Sequence, residues 1–390
     1  MKILIVPSAN LPIPPINGGA VQNLIYDYIK YNENEESDDI KLITICDRSK
    51  MSAETFKHTD IICVNIPHWV FKVRNYFKKP FSSIAFRYIE HKYLARVKKE
   101  IKRDKNRVVI FENTPNIVEK VEKEDGMKWI LHIYNDILSN AKCESTIRKV
   151  DKIIACSEYI KNQVYCDNDK VDVVYNGVNI DKFSCYNKEY NECRTQIRKT
   201  LNISDDEIVV ITVARLVPEK GVKELIEAFN TLSTTRKVKL VIVGNKLYGE
   251  NVKDDYQREI VDLAAINEEN IIFTGYINYD ELYKYYWASD IGVLATLYDE
   301  PFSMAAIEYM ASGLVPIFTR AGGFPEMLSE AELLVDRDNI VENLRKTLDN
   351  VVENIENYKN ANDYNEVSKK YSVYEYCTKK KSELRGFEKQ

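Results

Sequence analysis

Two carboxylates and two cations in the second half of the sequence have the types and spacing to do chemistry. Glu300 and Glu308 bracket the stretch Glu300-Pro301-Phe302-Ser303-Met304-Ala305-Ala306-Ile307-Glu308. The stretch follows an apolar strand pattern and opens a helix predicted to run to about Ala311. Glu300 then lies in a loop and Glu308 on the helix, a separation that lets two carboxylates grip two different diols of one ligand. Each charge-assisted hydrogen bond to a hydroxyl contributes about 1.5–3 kcal/mol. The N–H groups of Phe302, Ser303 and Met304 head the same helix without intrahelical acceptors, an arrangement that attracts anions. A solvated pair on an ordinary surface helix has the same spacing, so the motif does not decide the matter by itself.

The cations are Arg215 and Lys220, in Thr212-Val213-Ala214-Arg215-Leu216-Val217-Pro218-Glu219-Lys220-Gly221. A predicted strand ends there and a predicted helix follows. Arg215 can fork two phosphate oxygens and Lys220 supplies a point charge. Fixed cations and helix N-termini at this place could neutralise the charge that grows on a nucleotide diphosphate leaving group, with no metal ion required. A third candidate is the Gly18-Gly19 pair in Pro12-Ile13-Pro14-Pro15-Ile16-Asn17-Gly18-Gly19, between the first strand and the first helix. Adjacent glycines let backbone approach a ligand closely. A tight turn explains them as well, and the G-x-G-x-x-G dinucleotide fingerprint is absent.

These residues need a scaffold, and the alternation of apolar runs with helical patterns supplies it. Strands are predicted at Ile3–Val6, Lys41–Cys46, Val108–Phe111, Lys128–Ile133, Lys152–Cys156 and Val171–Tyr175. A helix is predicted from Ala20 to Tyr31, with Val21, Leu24, Ile25 and Tyr28 on one face. Residues 187–206 are polar and read as a linker. The alternation then restarts with strands at Glu207–Val213, Val238–Val243, Asn270–Thr274, Asp290–Ala295, Val315–Phe318 and Glu332–Val335, and a helix at Val222–Leu232. Continuous β-branched strands separated by helices argue for parallel sheets covered on both faces. The expected fold class is therefore α/β, with two Rossmann-like, doubly wound domains at residues 1–186 and 187–370. Ligands of such sheets bind beyond the carboxyl ends of the strands.

Bulk properties agree with a globular two-domain chain: 390 residues, 45% hydrophobic, 29% charged, with 13 Gly and 11 Pro. A formal net charge of -5 argues against nucleic acid as a partner. The eight cysteines are scattered without a C-x-x-C pair, so free thiols in a reducing compartment are expected and no zinc site. No apolar run approaches the roughly 20 residues of a membrane helix. The expectation is a cytoplasmic protein able to touch the inner face of the cell membrane. Residues 69–107 carry the feature behind that expectation. Thirteen Lys or Arg lie between Lys72 and Arg107, opposed by Glu90, Glu100 and Asp104 and interleaved with Trp69, Phe71, Tyr76, Phe77, Phe81, Phe86, Tyr88 and Tyr93. Such a stretch can rest on an anionic membrane, or form a solvated helical face with its aromatics in the core.

Taken together, the segments resemble the family 4 retaining glycosyltransferases of the GT-B fold. The matching pieces are Gly18-Gly19, Val174-Tyr175-Asn176-Gly177-Val178, Ala214-Arg215-Leu216 with Lys220-Gly221, and Val241-Ile242-Val243-Gly244. Phe273-Thr274-Gly275, the E-x7-E from Glu300 to Glu308, and Ala321-Gly322-Gly323 with Glu326 follow in order. The resemblance implies a GT-B architecture, two such domains facing each other across a cleft, and metal-independent transfer of a sugar with retention. Arg215 and Lys220 would bind the diphosphate and act as electrostatic catalysts. Glu308 would hold the ribose, and Glu300 with the Phe302, Ser303 and Met304 amides the donor sugar. Asn176 and Gly244 fall in donor-binding segments, Tyr276 and Ile277 where the base is held, and the Gly18-Gly19 loop over phosphate and sugar. His132 is the first choice for a residue near the sugar 6-hydroxyl, with Tyr134 the competitor if the register shifts. Residues 371–390 would form a helix that packs back on the N-terminal domain.

The implied donor is a UDP-sugar, acting as substrate with no further cofactor. The implied acceptor is a glycan or lipid-linked carbohydrate in bacterial cell-surface polysaccharide synthesis. Pro301 departs from the family pattern, because the loop after Glu300 usually carries glycines and proline has no N–H to offer a sugar. Two other readings fit part of the pattern. An NAD-dependent oxidoreductase could use Asp47 as its ribose-reading acid, but it lacks the glycine fingerprint. A non-catalytic GT-B relative with a structural role is opposed by the intact Arg215, Lys220, Glu300 and Glu308, while Pro301 leaves that alternative open.

Overall fold

The computed structural model describes residues 1–15, 19–46, 55–76, 80–103, 107–245, 255–361 and 363–386. It divides into two compact units, Met1–Gly177 with Val373–Gln390, and Val178–Ser372. The boundary falls ahead of the expected one, so residues 178–186 belong with the second unit.

The first unit is built on a parallel seven-stranded sheet. Its strands are β1 (Lys2–Val6), β2 (Asp39–Cys46), β3 (Thr59–Asn65), β4 (Val108–Glu112), β5 (Lys128–Ile133), β6 (Lys152–Ala155) and β7 (Val171–Val173). The order is β3-β2-β1-β4-β5-β6-β7. The chain starts at β1, builds outward to β3 and then returns to the other side of β1, so the order reverses between β1 and β4. Ile3, Leu4, Ile5 and Val6 are buried throughout, as a strand covered on both faces requires.

The helix Val373–Arg385 belongs to this unit and packs against the helix Ala20–Glu35. A fully buried ion pair anchors it. Lys380 Nζ donates to Glu112 Oε1 at 2.7 Å and to the Tyr376 hydroxyl at 3.0 Å. Burial alone would raise the Glu112 carboxyl, but Lys380 and His132 beside it hold it well below the usual carboxylate range.

The second unit repeats the plan with six parallel strands: β8 (Ile208–Val213), β9 (Val238–Val243), β10 (Ile271–Gly275), β11 (Ile291–Leu294), β12 (Val315–Thr319) and β13 (Leu334–Val335). Their order is β10-β9-β8-β11-β12-β13, again reversing beside the first strand of the set.

Three expectations are corrected. The polar stretch 187–206 is no linker, since it holds the helix Tyr190–Thr200. That helix docks through arginines: Arg194 and Arg198 each place a terminal guanidinium nitrogen 2.8 Å from the buried Asp290 carboxylate. A strand is also present at β3, where the sequence shows no continuous aliphatic run. Finally, Cys46 on β2 and Cys63 on β3 are joined as a disulfide, their Cα atoms 5.7 Å apart. Distance along the chain hid this pair, because parallel neighbouring strands bring together residues separated by 17 positions. Cys143, Cys156, Cys166, Cys185, Cys193 and Cys377 are free. Asp47 lies outside the described residues.

Candidate active site

Most of the sequence-derived residues meet at the carboxyl ends of β8–β11 in the second unit. A cavity of about 220 Å³ is lined there by Arg215, Gly244, Asn245, Tyr276, Ile277 and Tyr279, among others. Backbone bonds knit its floor. Gly244 N donates to Gly275 O at 2.9 Å, and Leu216 N to Asn245 O at 3.2 Å. Gly244 has φ 145°, and a Cβ there would stand 1.9 Å from Ala214 O, so glycine is required for β8 and β9 to end side by side. Arg215 is half-exposed on the cavity wall, with Glu219 Oε1 3.7 Å from its guanidinium.

Lys220 closes a short 3-10 turn, Pro218–Lys220, that leads into the helix Val222–Asn230. Its ammonium donates to Glu300 Oε2 at 2.7 Å and to the Tyr298 hydroxyl at 2.8 Å. Tyr298 in turn donates to Glu300 Oε2. Burial and the neighbouring Glu300 charge push the Tyr298 phenol upward, so the hydroxyl keeps its proton and stays a donor. Tyr298 went unrecognised in the sequence; its place two residues before Glu300 was the only available signal.

The Glu300 loop is held by the Ala321-Gly322-Gly323 segment. Gly323 N donates to Glu300 O at 2.8 Å. Gly322 adopts φ 58°, and any Cβ there would strike Glu300 O at 2.1 Å. Ser303 caps the helix Met304–Ala311, its hydroxyl accepting from Ala306 N at 3.3 Å. The Ser303 and Met304 N–H groups stand at the head of this helix, where intrahelical acceptors are lacking. Phe302 is buried against Tyr371, ring centroids 5.4 Å apart. The helix is also pinned to β8, because Val213 N donates to the Tyr309 hydroxyl oxygen at 2.8 Å.

Glu308 lies on that helix and is 3% exposed. Tyr286 donates to its Oε2 at 2.7 Å. Burial raises the Glu308 carboxyl, opposed in part by hydrogen bonds from Tyr286 and from Tyr279, which also lines the cavity. Glu308 is thus a desolvated carboxylate beside the cavity, not a solvated helix residue.

The remaining candidates belong to the first unit. Gly18 lies outside the described residues, and Gly19 directly precedes the helix Ala20–Glu35 with φ 116°. Asn176 follows β7 and is buried, its Oδ1 without a hydrogen-bond partner among the described residues. His132 sits on β5 and is fully buried. Its Nδ1 is 3.0 Å from the Tyr134 hydroxyl and 3.2 Å from Glu112 Oε2, and burial outweighs Glu112 in holding the imidazole below its ordinary value. Both contenders therefore belong to one interior network: Tyr134 also donates to Glu112 Oε2, at 2.8 Å. The expected donor-facing strand residue has an interior setting, because β5 ends at Ile133 and His132 faces the C-terminal helix.

Residues 194–368 match the family model described as glycosyl transferases group 1. Spore coat protein SA of Bacillus subtilis is 25% identical over 347 residues, 85% of this chain and 84% of that one. A lipopolysaccharide 1,2-N-acetylglucosaminetransferase of Salmonella typhimurium is 25% identical over 241 residues, 60% of each chain. The crystal structure of Anabaena HepE in complex with UDP superposes with a TM-score of 0.72 at 17% identity, covering 99% of this chain and 100% of that one. The protein is a glycosyltransferase with the GT-B fold.

The glycosyltransferase carries its basic, aromatic stretch on two helices of the first unit, His68–Tyr76 and Phe81–Arg103. Tyr93, Ile89 and Val97 face inward, whereas Trp69, Phe81 and Ile84 are more than half exposed. Phe77, Lys78, Lys79, Asp104 and Lys105 lie outside the described residues. Among the described residues, no helix is long and apolar enough to cross a membrane, and no group of three or more His, Cys, Asp or Glu could hold a metal ion.

Proposed function

We propose that this glycosyltransferase moves a hexose or N-acetylhexosamine from a UDP-sugar to a glycan or lipid-linked acceptor, with retention and without a metal ion. Support comes first from one observation: Arg215 lines a closed-floored cavity at the ends of β8–β10, with the Lys220–Glu300 pair on the adjoining loops. The cavity accepts the base against the Tyr276-Ile277 backbone, and the ribose hydroxyls reach Glu308. Arg215 and Lys220 take the diphosphate. A diphosphate competes with Glu300 for the Lys220 ammonium, freeing the Glu300 carboxylate for a sugar hydroxyl. The Ser303 and Met304 amides complete the sugar site, with Phe302 packed behind them.

In the reaction, the bond between the anomeric carbon and the β-phosphate oxygen breaks, and UDP departs with the electron pair. The acceptor hydroxyl oxygen forms the new bond on the same face and loses its proton to solvent. Fixed cations beside the departing phosphate lower the barrier because the charge they meet grows in the transition state. UDP is bound by HepE, and N-acetylglucosamine is transferred by the Salmonella relative. Both support, by analogy, a UDP-sugar donor and a role in cell-surface polysaccharide synthesis. The exposed Trp69, Phe81 and Ile84 beside Lys72, Arg87 and Lys92 support contact with the anionic inner face of the cell membrane.

The test is donor turnover in EDTA. UDP-glucose, UDP-galactose, their N-acetylamino counterparts, GDP-mannose and ADP-glucose are supplied singly, and proton NMR follows the anomer first released or transferred. Consumption of at least one donor, with the α-anomer appearing first, is the expected result. Activity only after a divalent metal is restored, the β-anomer first, or turnover confined to GDP- or ADP-sugars would overturn the proposal.

A further inference from the structure

The amino ends of β1, β2, β3 and β4 border a cavity of about 460 Å³, more than twice the volume of the one beside Arg215. Small-molecule sites span roughly 300–1,000 Å³. Four cations line it, Lys2, Lys41, Lys57 and Arg107, against two carboxylates, Asp39 and Asp60. The local excess of two positive charges runs against the chain as a whole, which has 55 basic and 60 acidic residues. Strand register pairs Asp39 with Lys2 and Asp60 with Lys41 on neighbouring strands, so each carboxylate stands beside a lysine. The net excess therefore equals the charges of Lys57 and Arg107.

These two cations stand apart. Lys57 lies two residues ahead of β3 and Arg107 directly ahead of β4. The order β3-β2-β1-β4 puts three strand spacings, about 14 Å, between those strands. Both spring from fixed backbone. The Glu33 carboxylate accepts from Lys57 N at 2.7 Å, His58 N at 3.1 Å and the Thr59 hydroxyl at 2.8 Å, and Arg107 O accepts from Lys128 N at 3.3 Å. Arg107 is 5% exposed, and a guanidinium shielded from water grips phosphate strongly because its fork fits and the local dielectric is low. His58 adds an imidazole beside Lys57. Phe56, edge-on to Tyr26 with ring centroids 6.3 Å apart, gives a carbon skeleton an apolar wall. A span of this size suits two phosphates on one small skeleton better than a single phosphate.

A lipid headgroup carries the same chemistry, but the exposed Phe81 and Ile84 lie at the far end of the helix that leads toward Arg107. From Ile84 to Arg103 that helix rises about 28 Å, so a membrane resting on those side chains stands well away from the cavity.

We propose that the amino end of the first sheet binds a soluble bisphosphorylated metabolite, one phosphate on Arg107 and the other on Lys57 and His58. The site is independent of the transferase reading and lies in the unit that does not hold the Arg215 cavity. Calorimetric titration of the full chain in EDTA tests it, with fructose 1,6-bisphosphate, fructose 6-phosphate and inorganic phosphate as probes. Each is titrated into wild type, Lys57→Ala and Arg215→Ala. Lys57 is exposed, so matched melting temperatures certify that its variant is folded. Fructose 1,6-bisphosphate should bind at least tenfold more tightly than either monophosphate probe, weaken tenfold or more in Lys57→Ala, and bind Arg215→Ala as it binds wild type. Absence of bisphosphate binding, equal affinity for a monophosphate probe, indifference to Lys57→Ala, or loss in Arg215→Ala would overturn the inference. Cosedimentation with phosphatidic acid vesicles is the second arm: retention abolished by Lys57→Ala would assign the cavity to a lipid headgroup and overturn the soluble ligand, whereas retention unchanged by it is expected.

Discussion

Replacing Lys380 by methionine removes one half of an ion pair whose side chains are both fully buried. Glu112 then keeps Tyr134 and His132 as partners but loses the cation that holds its carboxyl low. Breaking a buried pair in this way costs about 3–5 kcal/mol. For a unit of about 200 residues, each kcal/mol moves the melting temperature by about 2–4 °C, so the first unit should melt about 6–20 °C lower. Glu112 is depressed, so its contribution is complete above the ordinary carboxylate pKa and fades only as pH falls toward its low folded value. Lys380 is raised, so its contribution is complete below the ordinary lysine value and fades only as pH rises through its folded pKa. The penalty should therefore be constant from about pH 5 to 10. Differential scanning calorimetry reads it, and Lys380→Met with Glu112→Leu should recover most of the loss, because an apolar pair leaves no charge stranded. A single-variant cost below about 1 kcal/mol, or losses that simply add in the double variant, would refute the reasoning.

Three further outcomes follow from the same contacts. Arg215→Ala should lower kcat/KM about a hundred- to a thousandfold in EDTA, the range for removing one preorganised charge stabiliser, and Arg215→Lys should recover only part because the fork is lost. Glu308 is raised by burial, so the folded protein holds its proton more tightly and stability falls as pH rises through that raised value. Glu308→Gln should therefore gain in melting temperature over wild type between about pH 4.5 and neutrality, read by calorimetry. His132 is lowered, so wild type should lose stability as pH drops below about 6.5 toward the folded pKa. His132→Gln should flatten that slope in chemical denaturation monitored at several pH values.

The strands were legible because parallel sheets covered on both faces demand continuous aliphatic runs, as in Ile3–Val6 and Val238–Val243. β3 was missed for the complementary reason. At the edge of its sheet it buries only Thr59, Ile62 and Val64, and Asp60, Cys63 and Asn65 interrupt the apolar pattern. Helix Tyr190–Thr200 escaped because it docks through Arg194 and Arg198, and charged side chains read as solvent-facing until Asp290 is known to lie beneath them. The motif residues Arg215, Lys220, Glu300 and Glu308 were recognisable from local spacing. Their partners were not: Tyr298 and Tyr286 are two among 26 tyrosines. The pairing of Lys380 with Glu112 depends on a chain return that no local pattern encodes.

The central claim is that the cavity beside Arg215 binds a uridine nucleotide without a metal. Calorimetric titration of UDP, GDP, ADP and NAD into the protein in EDTA, repeated on Glu308→Ala, tests it most directly. The account predicts that UDP binds, and that its affinity falls about tenfold to a hundredfold in the variant, as loss of a charge-assisted hydrogen bond of about 1.5–3 kcal/mol implies. Preference for GDP, ADP or NAD, a requirement for added metal, or UDP binding untouched by the loss of Glu308 would contradict it.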